Sequence, residues 1–90
     1  MSYFKSDIEK DKLCRIIIEA LKSGSKSNKE LFLICKDKYA EFLKGYSLGV
    51  IVSDSEIRYR IRRLLRDGLI NRHHGIYGAS EKANELKWQL

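Results

Sequence analysis

The sequence predicts a mainly α-helical domain with a small β-hairpin, an α+β fold of three main helices, a two-stranded ribbon and an added C-terminal helix. Three observations point there. The pattern Ser-x-x-Glu occurs three times, each time just before an apolar helical stretch. Two short strand-like runs flank a Gly-containing turn after Gly68. The chain has 90 residues, room for one domain and no more.

The three Ser-x-x-Glu stretches are Ser6–Glu9, Ser27–Glu30 and Ser53–Glu56. In such a capping box the Ser side chain accepts the backbone N–H three residues on, and the Glu reaches back to the Ser N–H. Helix 1 is expected over residues 7–22, with Gly24 just past its end. Leu13, Ile16, Ile17, Ala20 and Leu21 form its main stripe, and Cys14 and Ile18 widen it to roughly 200° of arc. One core asks for only somewhat over ~100°, so the surplus edge is expected to meet another helix or another subunit. Helix 2 is expected from 28 to 44, ending at Gly45, with Leu31, Phe32, Cys35, Tyr39, Phe42 and Leu43 on one face. Leu33 and Ala40 point away from that face, and a break near Lys36–Asp37 is the alternative.

Residues 45–49 read as a loop, and Val50-Ile51-Val52 as a short strand or buried linker. Val52 precedes the Ser53 cap and is placed to staple onto Ile57. Helix 3 is expected over 54–67, with Gly68 in the left-handed capping position and Leu69 returning to Leu64 as in a Schellman end. Residues 69–72 read as a strand, 73–75 as the turn and 76–79 as the returning strand. Ser80 is then expected to cap the last helix, with Ala83, Leu86 and Leu90 on one face and Trp88 nearby.

Composition narrows the function. Hydrophobic residues make up 43% of the chain, too many for a disordered segment. No apolar run has membrane-spanning length, and the N-terminus lacks the apolar core of a signal peptide, so a cytoplasmic protein is expected. Cys14 and Cys35 are the only cysteines and show no metal-ligand spacing. Two buried thiols are the favoured reading and a disulfide the alternative. No cofactor and no metal is expected.

The formal net charge is +6, which favours a polyanionic partner but also fits a merely soluble basic protein. Where the charge falls says more. Arg58, Arg60, Arg62, Arg63, Arg66 and Arg72 are crowded into one short stretch, whereas Lys is spread over the chain. Projected at 100° per residue, helix 3 gathers Ile57, Ile61, Leu64 and Leu65 on one side. Ser55, Tyr59, Arg62, Arg63 and Arg66 lie opposite, flanked by Arg58 and Arg60. A merely solvated face would mix charge signs, yet Arg58–Arg62 and Arg62–Arg66 are like-charged i,i+4 pairs that mildly destabilise a free helix. The pattern fits a helix laid in the major groove of duplex DNA, with Ser55, Arg58, Tyr59 and Arg62 nearest the bases. Arg72, His73 and His74 at the hairpin tip are candidates for phosphate or minor-groove contacts, with a plain polar tip as the competing reading.

Residues 53–70, Ser-Asp-Ser-Glu-Ile-Arg-Tyr-Arg-Ile-Arg-Arg-Leu-Leu-Arg-Asp-Gly-Leu-Ile, resemble the recognition helix and first wing strand of winged-helix transcription regulators. Residues 76–83, Ile-Tyr-Gly-Ala-Ser-Glu-Lys-Ala, resemble the second wing strand running into a C-terminal helix, as in regulators of the multiple-antibiotic-resistance type. The resemblance implies a winged helix-turn-helix with an added C-terminal helix and a homodimer reading a two-fold site. The N-terminal arm with Tyr3 and Phe4, helix 1 and the last helix would supply the pairing surface. The alternative is that Trp88 and Leu90 fold back on helix 1 within one chain. The expected function is sequence-specific double-stranded DNA binding in transcription regulation. Contact with an acidic protein partner is the runner-up. An enzyme is not expected, because Cys14, Cys35, His73 and His74 form no catalytic constellation.

Overall fold

The first helix is broken where the sequence predicts one continuous rod. In the computed structural model, which describes residues 5–42 and 52–88, α1 spans Lys5–Glu9 and α2 spans Lys12–Lys22. The Asp11 N–H donates to the Ile8 carbonyl (3.0 Å) and closes α1. Asp11 itself is extended and caps α2, its Oδ1 accepting the Cys14 N–H at 2.9 Å. Because α1 already includes Ser6, the expected Ser6 box does not open the long helix. Its Glu9 is buried instead and accepts the backbone N–H of Lys87.

The remaining elements are β1 (Lys26–Ser27), α3 (Asn28–Phe42), α4 (Asp54–Arg66), β2 (Ile70–His73), β3 (Ile76–Ala79) and a 3-10 turn, Glu81–Glu85. The result is an α+β arrangement, mainly helical with one three-stranded antiparallel sheet in the order β1-β3-β2. No helix among the described residues is long and apolar enough to cross a membrane.

The other two capping boxes form, one fully and one by half. At α3 the Ser27 N–H donates to Glu30 Oε1 (2.9 Å) while Ser27 Oγ accepts the Glu30 N–H (3.2 Å). At α4 Ser53 Oγ accepts the Glu56 N–H (3.2 Å), but the Glu56 carboxylate turns to Arg60. α3 continues unbroken past Lys36–Asp37. Leu31 and Cys35 are buried and Phe32 and Tyr39 partly so, while Leu33 is exposed as its place on the helix predicts. The expectations for residues 43–51, including the loop and the Val50–Ile51 run, lie outside the described residues. Val52 is buried, as is Ile57.

α4 ends as expected. Gly68 has φ +75°, the Leu69 N–H donates to the Leu64 carbonyl (3.0 Å) and the Gly68 N–H to Leu65 (3.1 Å), which is a Schellman motif. Because Leu69 is committed to that cap, β2 begins one residue later than predicted. The hairpin turn is the pair His74–Gly75, at φ +51° and +78°; positive φ at both central residues is the mark of a type I′ turn, whose twist suits a two-residue hairpin.

Two features depart further from the sequence reading. β1 is unforeseen: Lys26 faces Tyr77 and Ser27 faces Ile76, so β3 is the central strand. The C-terminal helix does not form. Ser80 makes no side-chain cap, its hydroxyl donating instead to the Gly68 carbonyl (2.6 Å), and after the 3-10 turn Leu86 is extended. Packing decides this, because Ala83 and Leu86 are buried and Trp88 lies against the core in this irregular path.

The core centres on α2, which packs against α1, α3, α4 and β3. Leu13, Cys14, Ile16, Ile17, Ile18 and Leu21 are all buried within the chain. The wide apolar arc therefore needs no second subunit to cover it. The same holds for Ala83 and Leu86, while Tyr3, Phe4 and Leu90 lie outside the described residues.

Candidate nucleic-acid interface

α4 is amphipathic as the 100° projection requires, with Ile57, Ile61 and Leu64 buried below. Its polar residues, however, are not one ridge. Arg58 and Arg62 turn toward the hairpin, where they line a groove with Ile61, Leu65, Arg72 and Tyr77. Gly75 at the hairpin tip and Asn28 at the start of α3 complete that groove. Arg60 and Arg63 turn to the opposite flank, toward α2. Ser55, Tyr59 and Arg66 share the outward crest, spaced at i, i+4 and i+11, and all three are exposed.

The groove exists because of three local decisions in the chain. Side chains alternate along a strand, so Arg72 shares the face of buried Ile70 and is aimed at α4 rather than away from it. Arg72 stands opposite Tyr77 in the ladder, and Tyr77 is buried beneath it. β1 then pairs with the tip-proximal half of β3, which brings the start of α3 beside the hairpin turn.

Charge is sorted around this groove. Asp54 and Glu56 are the acids in the first turn of α4, and each is already paired. Lys36 Nζ lies 2.6 Å from Asp54 Oδ1. The hydrogen bond from Lys36, with the charges of Lys36 and Arg58, holds the Asp54 carboxyl below its usual range. Glu56 pairs with Arg60, which also reaches Asp11 at 3.2 Å. Glu30 accepts from Ser27, and those hydrogen bonds lower its pKa as well. Among the described residues, no ion pair engages Arg58, Arg62, Arg63 or Arg72. The Arg58 guanidinium sits 5.9 Å above the Phe32 ring, a cation–π distance that steers it back over α3.

The residues read from the sequence as one DNA-facing set therefore divide. Arg58, Arg62 and Arg72 are brought together. Ser55, Tyr59 and Arg66 stand apart on the crest, with Arg66 weakly engaged by Asp67 at 3.7 Å. Arg63 is half-buried on the α2 flank. His73 and His74 are exposed at the hairpin end, their rings edge-to-face at 5.0 Å, and neither lines the groove. Sequence reasoning missed Asn28. The signal was the capping box itself, which fixes where α3 starts, but nothing showed that a two-residue strand would carry that start to the hairpin.

Compared with protein-family models, curated protein sequences and solved structures, the chain matches none.

Cys14 and Cys35 lie far from solvent as free thiols. Burial, and next the Asp11 carboxylate, push the Cys14 thiol up to about 12; burial alone takes Cys35 to about 12. A folded-state thiol pKa above the unfolded value means that the folded protein holds its proton longer. Stability is then fully present below the unfolded pKa near 9.0 and is lost as pH rises toward 12. The expected slope is about 1.4 kcal/mol per pH unit per thiol across that window. Urea midpoints of the wild type and of Cys35→Ala between pH 8 and 11 check this. The variant should lose stability with a shallower slope, and equal slopes would mean that the buried thiol is not the cause.

Proposed function

We propose that the chain is a winged-helix domain that binds duplex DNA as a cytoplasmic transcription regulator, with α4 in the major groove and the β2–β3 hairpin as its wing. One arrangement supports this above all. Three arginines from two separate elements, Arg58 and Arg62 of α4 and Arg72 of the hairpin, line one groove, and among the described residues none of them forms an ion pair. Arginines gathered without salt-bridge partners repel one another, and a phosphodiester backbone relieves that repulsion while filling their donors. The resemblance of residues 53–70 and 76–83 to winged-helix regulators points the same way. The α2 stripe, Ala83 and Leu86, which the sequence offered as part of a homodimer surface, are covered by the chain itself, so the proposal does not depend on a second copy.

The test is a titration of labelled duplex DNA at salt concentrations from 50 to 250 mM. Each neutralised phosphate contributes about 0.9 to the slope of log affinity against log salt, so three groove arginines predict a slope of about −3 or steeper. Arg72→Ala should reduce that slope by roughly one unit on any sequence. A flat salt dependence would remove the DNA reading and favour an acidic protein surface as the partner.

A further inference from the structure

We infer that the groove arginines Arg58 and Arg62 hold one DNA strand by its phosphates, and that sequence is read by Ser55, Tyr59 and Arg66 on the crest of α4. The inference rests on the duplex-DNA reading and reverses, for two residues, what the helical projection alone suggests.

Shape carries the first step. On a duplex, the sugar-phosphate backbone is the ridge that separates major from minor groove, and base edges lie recessed on either side. On this protein the relief is opposite: α4 and the hairpin are two ridges with a groove between them. When the α4 crest enters the major groove, the hairpin falls across the adjacent backbone. The part of the duplex that fits the protein groove is then a single phosphodiester strand. Base edges are too recessed to reach its floor, which is built of Ile61, Leu65 and Tyr77.

Chemistry carries the second step. Arg58 is steered over Phe32 and away from the crest. Arg62 and Arg72 approach the groove from its two walls. Cations from both sides suit a charged chain running between them, and Asn28 adds a neutral donor at one end. The crest offers a different inventory: a small hydroxyl, a phenol that is 56% exposed, and a guanidinium whose side chain is 73% exposed. These groups are exposed on the outward face of α4, which is the requirement for reaching recessed base edges. Arg60 takes part in neither task, because Asp11 and Glu56 hold it.

The experiment first selects a preferred duplex with the wild-type protein from a random pool. It then measures Arg58→Ala, Arg62→Ala, Arg62→Lys and Tyr59→Ala on the selected and on a scrambled duplex over a range of salt. Each alanine variant of a groove arginine should weaken both duplexes equally, by roughly tenfold, and lower the salt slope by about one. Arg62→Lys should restore the slope, because a phosphate accepts a point charge where a guanine edge asks for the bidentate fork. Tyr59→Ala should change the preference between duplexes and leave the slope in place. The inference is overturned if Arg62→Ala abolishes the preference and Arg62→Lys fails to restore binding, or if the wild type binds every duplex alike. A wild type with no salt-dependent duplex binding would instead overturn the functional reading beneath it. Circular dichroism of each exposed-site variant confirms that the fold is kept.

Discussion

Ile17→Ala will lower the unfolding free energy by about 3 kcal/mol, within the ~2–5 kcal/mol usual for large-to-small changes in a core. Ile17 has no solvent exposure and sits mid-way along α2, the element that packs against α1, α3, α4 and β3. For a domain of this size, 1 kcal/mol corresponds to about 4–8 °C in melting temperature, so a drop of at least roughly 12 °C is expected. Thermal melts followed by circular dichroism give the answer. A shift of only a few degrees would mean that α2 is not the centre of the core.

Asp11→Ala should be the most damaging change at a polar residue, costing on the order of 2 kcal/mol. One carboxylate does two jobs there. Oδ1 caps α2 through the Cys14 N–H, and Oδ2 takes the Arg60 guanidinium from α4 at 3.2 Å. Loss of an N-cap typically costs ~1 kcal/mol. The ion pair is better shielded than most surface pairs, with side-chain exposures of 24% and 23%, and is worth about another 1 kcal/mol. The two roles separate by substitution. Asp11→Asn keeps a capping oxygen and should lose only the charge contribution, while Arg60→Met leaves the cap whole. A double-mutant cycle of Asp11→Ala with Arg60→Met should show coupling of roughly 1 kcal/mol. No coupling would mean that the bridge between α2 and α4 is incidental.

What the sequence revealed and what it hid follow from the range over which each signal acts. α4 was legible almost to the residue, because its cap, its apolar spacing and its Gly68 terminator all lie within one short stretch and agree. The hairpin was legible for the same reason. Asp11 went unread as a cap because the apolar pattern on either side suggests continuity. The break depends on partners far along the chain, Arg60 for Asp11 and Lys87 for Glu9. The C-terminal segment has a helical pattern, yet the burial of Ala83 and Leu86 goes with a 3-10 turn that ends in an extended residue. A two-residue strand such as β1 has no periodicity at all. The candidate site was legible in its residue types and illegible in its partition. Which flank of α4 faces the hairpin is set by tertiary packing, and that alone separates Arg58 and Arg62 from Arg63.

β1 pairs beside the turn of the hairpin rather than at its base, and this has an entropic consequence. The strand beside the tip is paired with Lys26 and Ser27, which lead directly into α3, so the hairpin wall of the groove is held in place before any partner arrives. Ordering a loop on binding costs about 1–2 kcal/mol per residue in backbone freedom, and a pre-organised wall avoids most of that loss. Association should then carry a small heat-capacity change, set by the area covered, without the large signature of folding coupled to binding.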